Sequence, residues 1–153
     1  MSFNDAGADE CTAEVDYGDG AGTQPLILAG NQFALEHTYL DDGHFTVTVR
    51  VADDDQGVGE DTFTVTVNNV APTVDSGDDA ISDEGALFFR VGTFSDPGTD
   101  KWTAEGDYGD DSGTQPLVLE GNRFTLSHTY ADDGRYHVTT RIIDDSQGIG
   151  TNT

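Results

Sequence analysis

Two stretches of the chain alternate apolar with polar residues at every second position. Residues 45–51 read FTVTVRV and residues 62–70 read TFTVTVNNV, so Phe or Val alternates with Thr, Arg or Asn. A period of two is typical of a β-strand with one face in a core and the other in water. The residues predicted to point inward are Phe45, Val47, Val49, Val51, Phe63, Val65 and Val67.

Further strands are predicted where short apolar stretches end in clusters of Gly, Asp or Asn, which favour turns. No stretch has the periodicity of an amphipathic helix. The sequence therefore predicts an all-β fold, an immunoglobulin-like antiparallel β-sandwich. The additional strands are expected at 24–29, 32–38, 86–94, 101–108, 115–120, 123–129 and 135–143.

The chain contains a long internal repeat. Residues 3–62 align with residues 94–153 at a constant offset of 91 without a gap, and 36 of the 60 pairs are identical. A duplication of this length indicates two tandem modules. The joint between them is predicted at NNVAPT (68–73), where Pro72 favours an extended path with little slack.

Short motifs recur in both copies and carry a family resemblance. Residues 16–20 read DYGDG, residues 37–39 read HTY, and a Gly-x-Phe-x-Val strand entry follows at 43–47. The second copy repeats these motifs through Asp107, Tyr108, Gly109, Asp110, His128, Tyr130, Gly134, Tyr136 and Val138. The chain resembles the polycystic kidney disease (PKD) repeat, with its aromatic-Asp-aromatic-Gly-Asp-Gly turn and later His-x-Tyr strand entry. Three positions depart from that pattern: Val15, Gly106 and Asp111.

The resemblance implies a seven-stranded sandwich for each unit. Residues 71–94 would supply the first two strands of the second copy, and residues 62–70 the last strand of the first. The first PKD-like unit, 3–70, would then lack its first two strands, and the second unit, 71–153, its last strand. We therefore expect either a piece of a longer array or completion by another chain, with self-association through the incomplete sandwich edges.

Charge narrows the classes of partner. The chain has 30 acidic and 6 basic residues and a net charge of −24. Because phosphate binding needs the opposite sign, nucleic acid is excluded. The excess of carboxylates suits a medium rich in salt or divalent cations. Cys11 is the only cysteine, so no intrachain disulfide can form.

The sequence contains neither a membrane span nor a signal peptide. No apolar run approaches the roughly 20 residues that a spanning helix needs. The first residues lead straight into the repeat without a charged region and an apolar core. We expect no membrane insertion, and a secreted or cell-surface parent protein whose export signal lies outside this sequence.

Acidic loops are predicted to meet at one end of the second module. In an immunoglobulin-type sandwich the chain entry, the loop after the second strand and the loop before the last strand lie together. Carboxylate and amide oxygens are ligands that Ca²⁺ prefers, and the PKD resemblance also implies calcium near such a linker. The predicted ligands are Asn69, Asp96, Asp100 and Asp144, with a weaker equivalent at Asp5, Asp9 and Asp53. An EF-hand at 53–61 is excluded, because Thr64 stands where its closing acid is required.

Catalytic residues have weaker support. Two acid pairs, Asp16 with Asp19 and Asp107 with Asp110, could share the general acid and base roles of glycoside cleavage. The same Gly-Asp spacing is what a tight turn needs. The sequence has no nucleophile elbow and no phosphate-binding loop. An enzyme is therefore disfavoured.

The histidines of the HTY motifs are interpreted as structural. His37 and His128 precede Tyr39 and Tyr130 at a strand entrance. In immunoglobulin folds a tyrosine hydroxyl at such a position ties the chain to a neighbouring backbone. No pair of histidines has zinc-ligand spacing with a third ligand, so zinc is not predicted.

Three functions remain open. We favour a non-enzymatic extracellular spacer or adhesive module, stabilised by calcium, with polysaccharide or other surface proteins as partners. The first alternative is a carbohydrate-binding accessory module of a polysaccharide-degrading enzyme, in which Trp102 would stack on a sugar ring. Cys11 stands at the equivalent position of the first copy, which argues against a repeated sugar platform. The second alternative is a small glycoside hydrolase, or other hydrolase, that uses the acid pairs.

Overall fold

The computed structural model describes residues 1–4 and 10–153, and throughout those ranges its regular structure is β-strand. The chain divides into two compact units, unit 1 (Met1–Asn68) and unit 2 (Asn69–Thr153). The predicted all-β, immunoglobulin-like antiparallel fold is confirmed. In the described ranges no helix is long and apolar enough to cross a bilayer.

Unit 1 is built on a four-stranded antiparallel sheet with the order β2-β1-β3-β4. Its strands are β1 (Thr12–Asp16), β2 (Thr23–Leu26), β3 (Gly43–Ala52) and β4 (Val58–Val67). The β3–β4 hairpin pairs from Gly43 opposite Val67 to Ala52 opposite Val58, as the alternation of Val with Thr predicts. Val47 and Val49 point into the core and are 1% and 7% exposed.

Unit 2 contains two sheets, with the orders β5-β6-β10-β9 and β12-β11-β7-β8. The second of these is the counterpart of the unit 1 sheet at the offset of 91. Their inner faces enclose one apolar core centred on Tyr108, Phe124, Leu126 and Ile142. The strands are β5 (Thr73–Asp75), β6 (Leu87–Ser95), β7 (Thr103–Asp107), β8 (Thr114–Pro116), β9 (Val118–Glu120), β10 (Arg123–Thr129), β11 (Thr139–Ile143) and β12 (Ile149–Asn152).

Four predicted strands differ in extent from the structure. The strand expected at 24–29 ends at Leu26, and the one expected at 115–120 is divided at Leu117 into β8 and β9, which belong to different sheets. The other two, 32–38 and 135–143, are wrong for a shared reason. Residues 32–38 form only isolated bridges at Gln32, whereas their counterpart β10 pairs with β6 along its whole length. Among the described residues of unit 1 only 1–4 correspond to β6, so the rest of 32–38 has no strand beside it. The strand expected at 135–143 begins at Thr139, because β12 pairs with β11 only as far as Thr140. A strand forms where a partner is present to accept and donate its backbone hydrogen bonds.

The two units differ in how completely the core is covered. Phe124 and Ile142 of unit 2 are 1% and 0% exposed. The same positions of unit 1 are Phe33 and Val51, which are only half-buried. The difference follows from β5 and β6, which cover this side of the core in unit 2.

Candidate functional site

The Asp-Tyr-Gly-Asp motif forms a tight turn after β1 and again after β7. Asp16 Oδ1 accepts a hydrogen bond from the Gly18 amide at 2.8 Å, and Asp19 Oδ1 accepts one from the Ala21 amide at 3.0 Å. The second copy repeats both bonds, from Gly109 to Asp107 at 2.9 Å and from Ser112 to Asp110 at 3.1 Å. All four carboxylates considered as acid pairs therefore hold their own turns, as Asp residues in turns commonly do.

A histidine and two tyrosines pack on each turn. His128 Nε2 lies 2.7 Å from Asp110 Oδ2, and its ring stacks on Tyr108 at a centroid distance of 4.3 Å. The Tyr130 hydroxyl donates to the Tyr108 carbonyl at 3.2 Å. This bond confirms the predicted tie between a tyrosine hydroxyl and a neighbouring backbone. The first copy has the same arrangement, with an Asp19–His37 distance of 2.8 Å and a Tyr39–Tyr17 bond of 3.0 Å.

The hydrogen bonds to Asp110 stabilise its ionised form. The Ser112 hydroxyl, and also His128 and the Ser112 amide, lower the pKa of Asp110 to about 2, against the opposing effect of burial. In the first copy the Ala21 amide and then His37 lower the pKa of Asp19. Burial and the nearby Asp110 raise the pKa of the Tyr130 phenol. Each turn therefore holds an ionised carboxylate beside a neutral tyrosine.

The lowered pKa predicts an acid-dependent loss of stability in unit 2. The ionised Asp110 favours the folded state above the ordinary pKa of 3.8, and this contribution disappears as the pH falls from about 4 to about 2. We expect Asp110→Asn to flatten that part of the curve of Tm against pH. Glu120→Gln, which changes an exposed acid on β9, is the control and should leave it unchanged. Parallel curves for Asp110→Asn and the parent chain would contradict the assignment.

Unit 2 carries a second acidic group at the turn between β11 and β12. Asp144 is 4% exposed, and its Oδ1 accepts a hydrogen bond from the Gly148 amide at 2.6 Å. Its other oxygen, Oδ2, accepts one from Asn69 Nδ2 at 2.8 Å. Two residues predicted as metal ligands from opposite ends of the unit 2 sequence are thus in direct contact.

The loop after β6 contributes two more acids. Asp96 Oδ2 accepts a hydrogen bond from the Trp102 indole at 2.8 Å, while Asp96 Oδ1 is buried and has no hydrogen-bond partner. Burial, and then the negative charges of Asp96, Asp145 and Asp144, raise the pKa of Asp100. Asp100 is therefore close enough to the other three carboxylates to be repelled by them.

Asp145 is a functional candidate that sequence reasoning missed. Its Oδ1 accepts a hydrogen bond from the Lys101 amide at 3.3 Å, which ties the turn before β12 to the chain just before β7. The only signal in the sequence is that Asp145 adjoins a predicted ligand. A further acidic group, Glu84 with Asp132 and Asp133, has oxygens within 4.8 Å of one another, and all three residues are exposed.

The weaker site predicted in the first copy is only partly within the described residues. Asp53 Oδ1 accepts a hydrogen bond from the Gly57 amide at 2.6 Å, as Asp144 does from Gly148. Asp5 and Asp9 lie outside the described residues. Trp102, the predicted sugar-stacking residue, is half-buried and packs edge to face on Phe94 at 5.3 Å.

The repeated antiparallel units, with acids that hold turns and loops, define a β-sandwich repeat protein. A family model of the PKD domain matches residues 1–67 and again residues 69–153. The chain therefore belongs to the PKD domain family, as a tandem pair of its repeats. PKD domains are typically extracellular. No curated protein matches the chain significantly.

Proposed function

We propose that the chain is an extracellular spacer or adhesive module whose unit 2 is stabilised by calcium, bound by Asn69, Asp96, Asp100 and Asp144. The observation that supports this most directly is the buried Asp96 Oδ1, which has no hydrogen-bond partner. Leaving a buried acceptor unpaired costs free energy, more so for a charged group. A cation beside it would remove that cost.

The chemistry of the donors fits calcium. Three carboxylates and one amide oxygen are hard ligands of the kind that Ca²⁺ binds. Asn69 now presents its amide nitrogen to Asp144, and a half-turn of the amide would present Oδ1 instead. Among the described acids of unit 2, the group of three whose oxygens already lie within 4.8 Å of one another is Glu84, Asp132 and Asp133. The carboxylates of the proposed site would therefore have to draw together around the ion.

Calcium would act on stability in two ways. Burial, and then the negative charges of Asp96, Asp145 and Asp144, raise the pKa of Asp100, and a bound cation would offset that repulsion. It would also bind the folded state alone, which stabilises that state by about 2.7 kcal/mol at a free concentration 100 times the Kd. Both effects hold the loop after β6 and the turn before β12 in place, which suits a spacer.

Calorimetry with calcium and with chelator tests the site. We expect millimolar calcium to raise the Tm of unit 2 by several degrees in the parent chain, and Asp96→Asn to lose most of that shift. In chelator, Asp96→Asn should be at least as stable as the parent, because it removes a crowded negative charge. A merely structural role for Asp96 would instead lower stability in both conditions.

Glu84→Gln provides the matched control, because it removes one acid from the exposed group outside the proposed site. This variant should keep the full response to calcium. A parent chain whose unit 2 melts at the same temperature with calcium and with chelator would exclude the site. If Glu84→Gln loses the response to calcium and Asp96→Asn keeps it, the calcium site is the exposed group of Glu84, Asp132 and Asp133 instead.

The geometry gives less support to sugar binding and hydrolysis. The Trp102 ring packs on Phe94 and its nitrogen donates to Asp96. The indole ring and the indole N–H, which would hold a sugar, therefore both make contacts within unit 2. The four acids considered for catalysis accept backbone hydrogen bonds in their own turns. The spacer function is therefore the one we propose.

A further inference from the structure

Unit 1 has an apolar face that is covered in unit 2. We call it the open face of unit 1. It is formed by Phe3, Phe33, Val51 and Gly59, which have counterparts in unit 2, together with Phe63, which lies outside the repeated residues 3–62. These residues line a groove of about 560 Å³, which is also lined by the acids Asp53, Glu60 and Asp61. Phe63 is 36% exposed, which is high for an aromatic residue at an inward position of a strand.

Unit 2 shows what covers the equivalent face. There the extended segment 70–76 crosses β12, and the Pro72 carbonyl lies so close to Gly150 that no Cβ would fit. Val74 packs beside it and is 8% exposed. Gly59 is the counterpart of Gly150, and no described atom lies within 4 Å of the position that its Cβ would occupy. The glycine needed for a crossing segment is thus present in unit 1 without that segment among the described residues.

The backbone edge that would pair with such a segment is also in place. In unit 2, β5 pairs with the end of β6, with Val74 opposite Phe94. The counterpart of Phe94 is Phe3, whose amide donates to the Asn31 carbonyl at 3.1 Å, as the Phe94 amide does to Asn122. Residues 2–4 therefore have the position of the β6 end, and in the described structure Ser2 pairs only with Gln32.

We propose that the open face of unit 1 binds an extended segment with the chemistry of residues 70–76, Val-Ala-Pro-Thr-Val-Asp followed by an apolar residue. The segment adds as a strand to the edge at 2–4, so backbone hydrogen bonds supply affinity and alternate side chains supply specificity. Its proline carbonyl passes over Gly59. Its second valine fills the groove between Phe3 and Val51.

Two residues that bond to the segment 70–76 in unit 2 are replaced by other residues in unit 1, and these differences affect which segment unit 1 would bind. In unit 2 the Ser76 hydroxyl donates to Thr140 Oγ1 at 3.1 Å in a buried position. The counterpart of Thr140 is Val49, so a serine at the last position of the segment would have no partner in unit 1. Asn152, whose amide donates to the Val74 carbonyl at 3.4 Å, is replaced by Asp61, which has no proton to donate when ionised. The open face therefore favours an apolar residue in place of Ser76.

Titration of the ¹⁵N-labelled chain with a synthetic peptide of residues 69–77 tests the proposal. The peptide should shift the amide signals of residues 2–4 and 57–61, and the peptide with Ser76→Ala should bind about threefold tighter. Val74→Asp in the peptide should weaken binding about tenfold or more. Salt at about 0.15 M is needed, because both partners are acidic.

Two protein variants separate specific docking from loose association. Gly59→Val should weaken peptide binding about tenfold or more, while leaving the Tm of unit 1 unchanged or higher, since its site is open and β-branched residues favour strands. Thr62→Val, on the opposite face of β4, should bind the peptide as the parent does. Equal binding by the Gly59→Val variant, or by the Val74→Asp peptide, overturns the proposal. A third outcome also overturns the proposal: the peptide does not bind, the parent chain self-associates, and Gly59→Val abolishes that self-association. The occupant of the open face would then be a second copy of the chain.

Discussion

Phe124→Ala is expected to lower the free energy of unfolding of unit 2 by about 3–5 kcal/mol. Phe124 is 1% exposed and lies in the core with Leu126 and Ile142. Its ring packs directly on Gly92 of the paired strand, where there is no room for a Cβ. Truncation would leave a cavity that neither sheet can fill by moving, because both are held by their ladders. Trp102, the only tryptophan, reports unit 2 by its fluorescence during denaturation.

Phe33→Ala is the matched variant in the other unit. Phe33 is half-buried and belongs to the open face of unit 1, so part of the transfer free energy of its ring is not gained on folding. We expect a smaller loss, measured by calorimetry on unit 1, and no change in the Trp102 transition. Equal losses for the two variants would mean that the cores are equally well covered.

The strands that were predicted correctly are those with a partner strand beside them, whether that partner is close in sequence, as in the β3–β4 hairpin, or remote, as β6 is from β10. The β3–β4 hairpin follows from the alternation at 45–51 and 62–70, and it pairs over its full length. Residues 32–38 have the same kind of alternation and still form no continuous strand. Their counterpart β10 depends on β6, which is remote in sequence. Periodicity reports which face is apolar, and it carries no information about whether a partner strand is present.

The contacts of the candidate sites differ in how much of them the sequence indicated. The turns held by Asp16 and Asp107 could be predicted, because an Asx turn needs only residues two apart. The bond between Asp110 and His128 was missed, although Asp and His are 18 residues apart in both copies. The unpaired Asp96 Oδ1 could not be predicted, because it depends on how Trp102 packs on Phe94 and donates to Asp96 Oδ2. A spacing that recurs in both copies is a signal of a contact that can be read from the sequence. An unpaired hydrogen-bond acceptor leaves no such signal.

Gly109→Ala is expected to be among the most destabilising single substitutions in unit 2, by about 3 kcal/mol or more. Gly109 has a φ of +73°, a conformation that costs a residue with a side chain about 1–2 kcal/mol. Its Cβ would also lie 2.6 Å from the carbonyl oxygen of His137 and 3.0 Å from the His137 nitrogen. Both are backbone atoms of the segment leading into β11, so they cannot turn aside as a side chain would.

Gly113→Ala separates the conformational cost of a positive φ from the cost of the steric clash. Gly113 has a φ of +80° in the same turn region, and no described atom lies within 4 Å of its Cβ position. It should therefore show the conformational cost alone, about 1–2 kcal/mol. Gly18, with a φ of +77° and the Thr46 oxygen 2.5 Å from its Cβ position, should repeat the Gly109 result in unit 1.

Denaturation of the three variants measures the difference in free energy of unfolding. Equal losses for Gly109→Ala and Gly113→Ala would mean that the turn moves away from the following strand. In that case the Asp110–His128 bond would lengthen, and the acid dependence between about pH 4 and pH 2 would weaken with it.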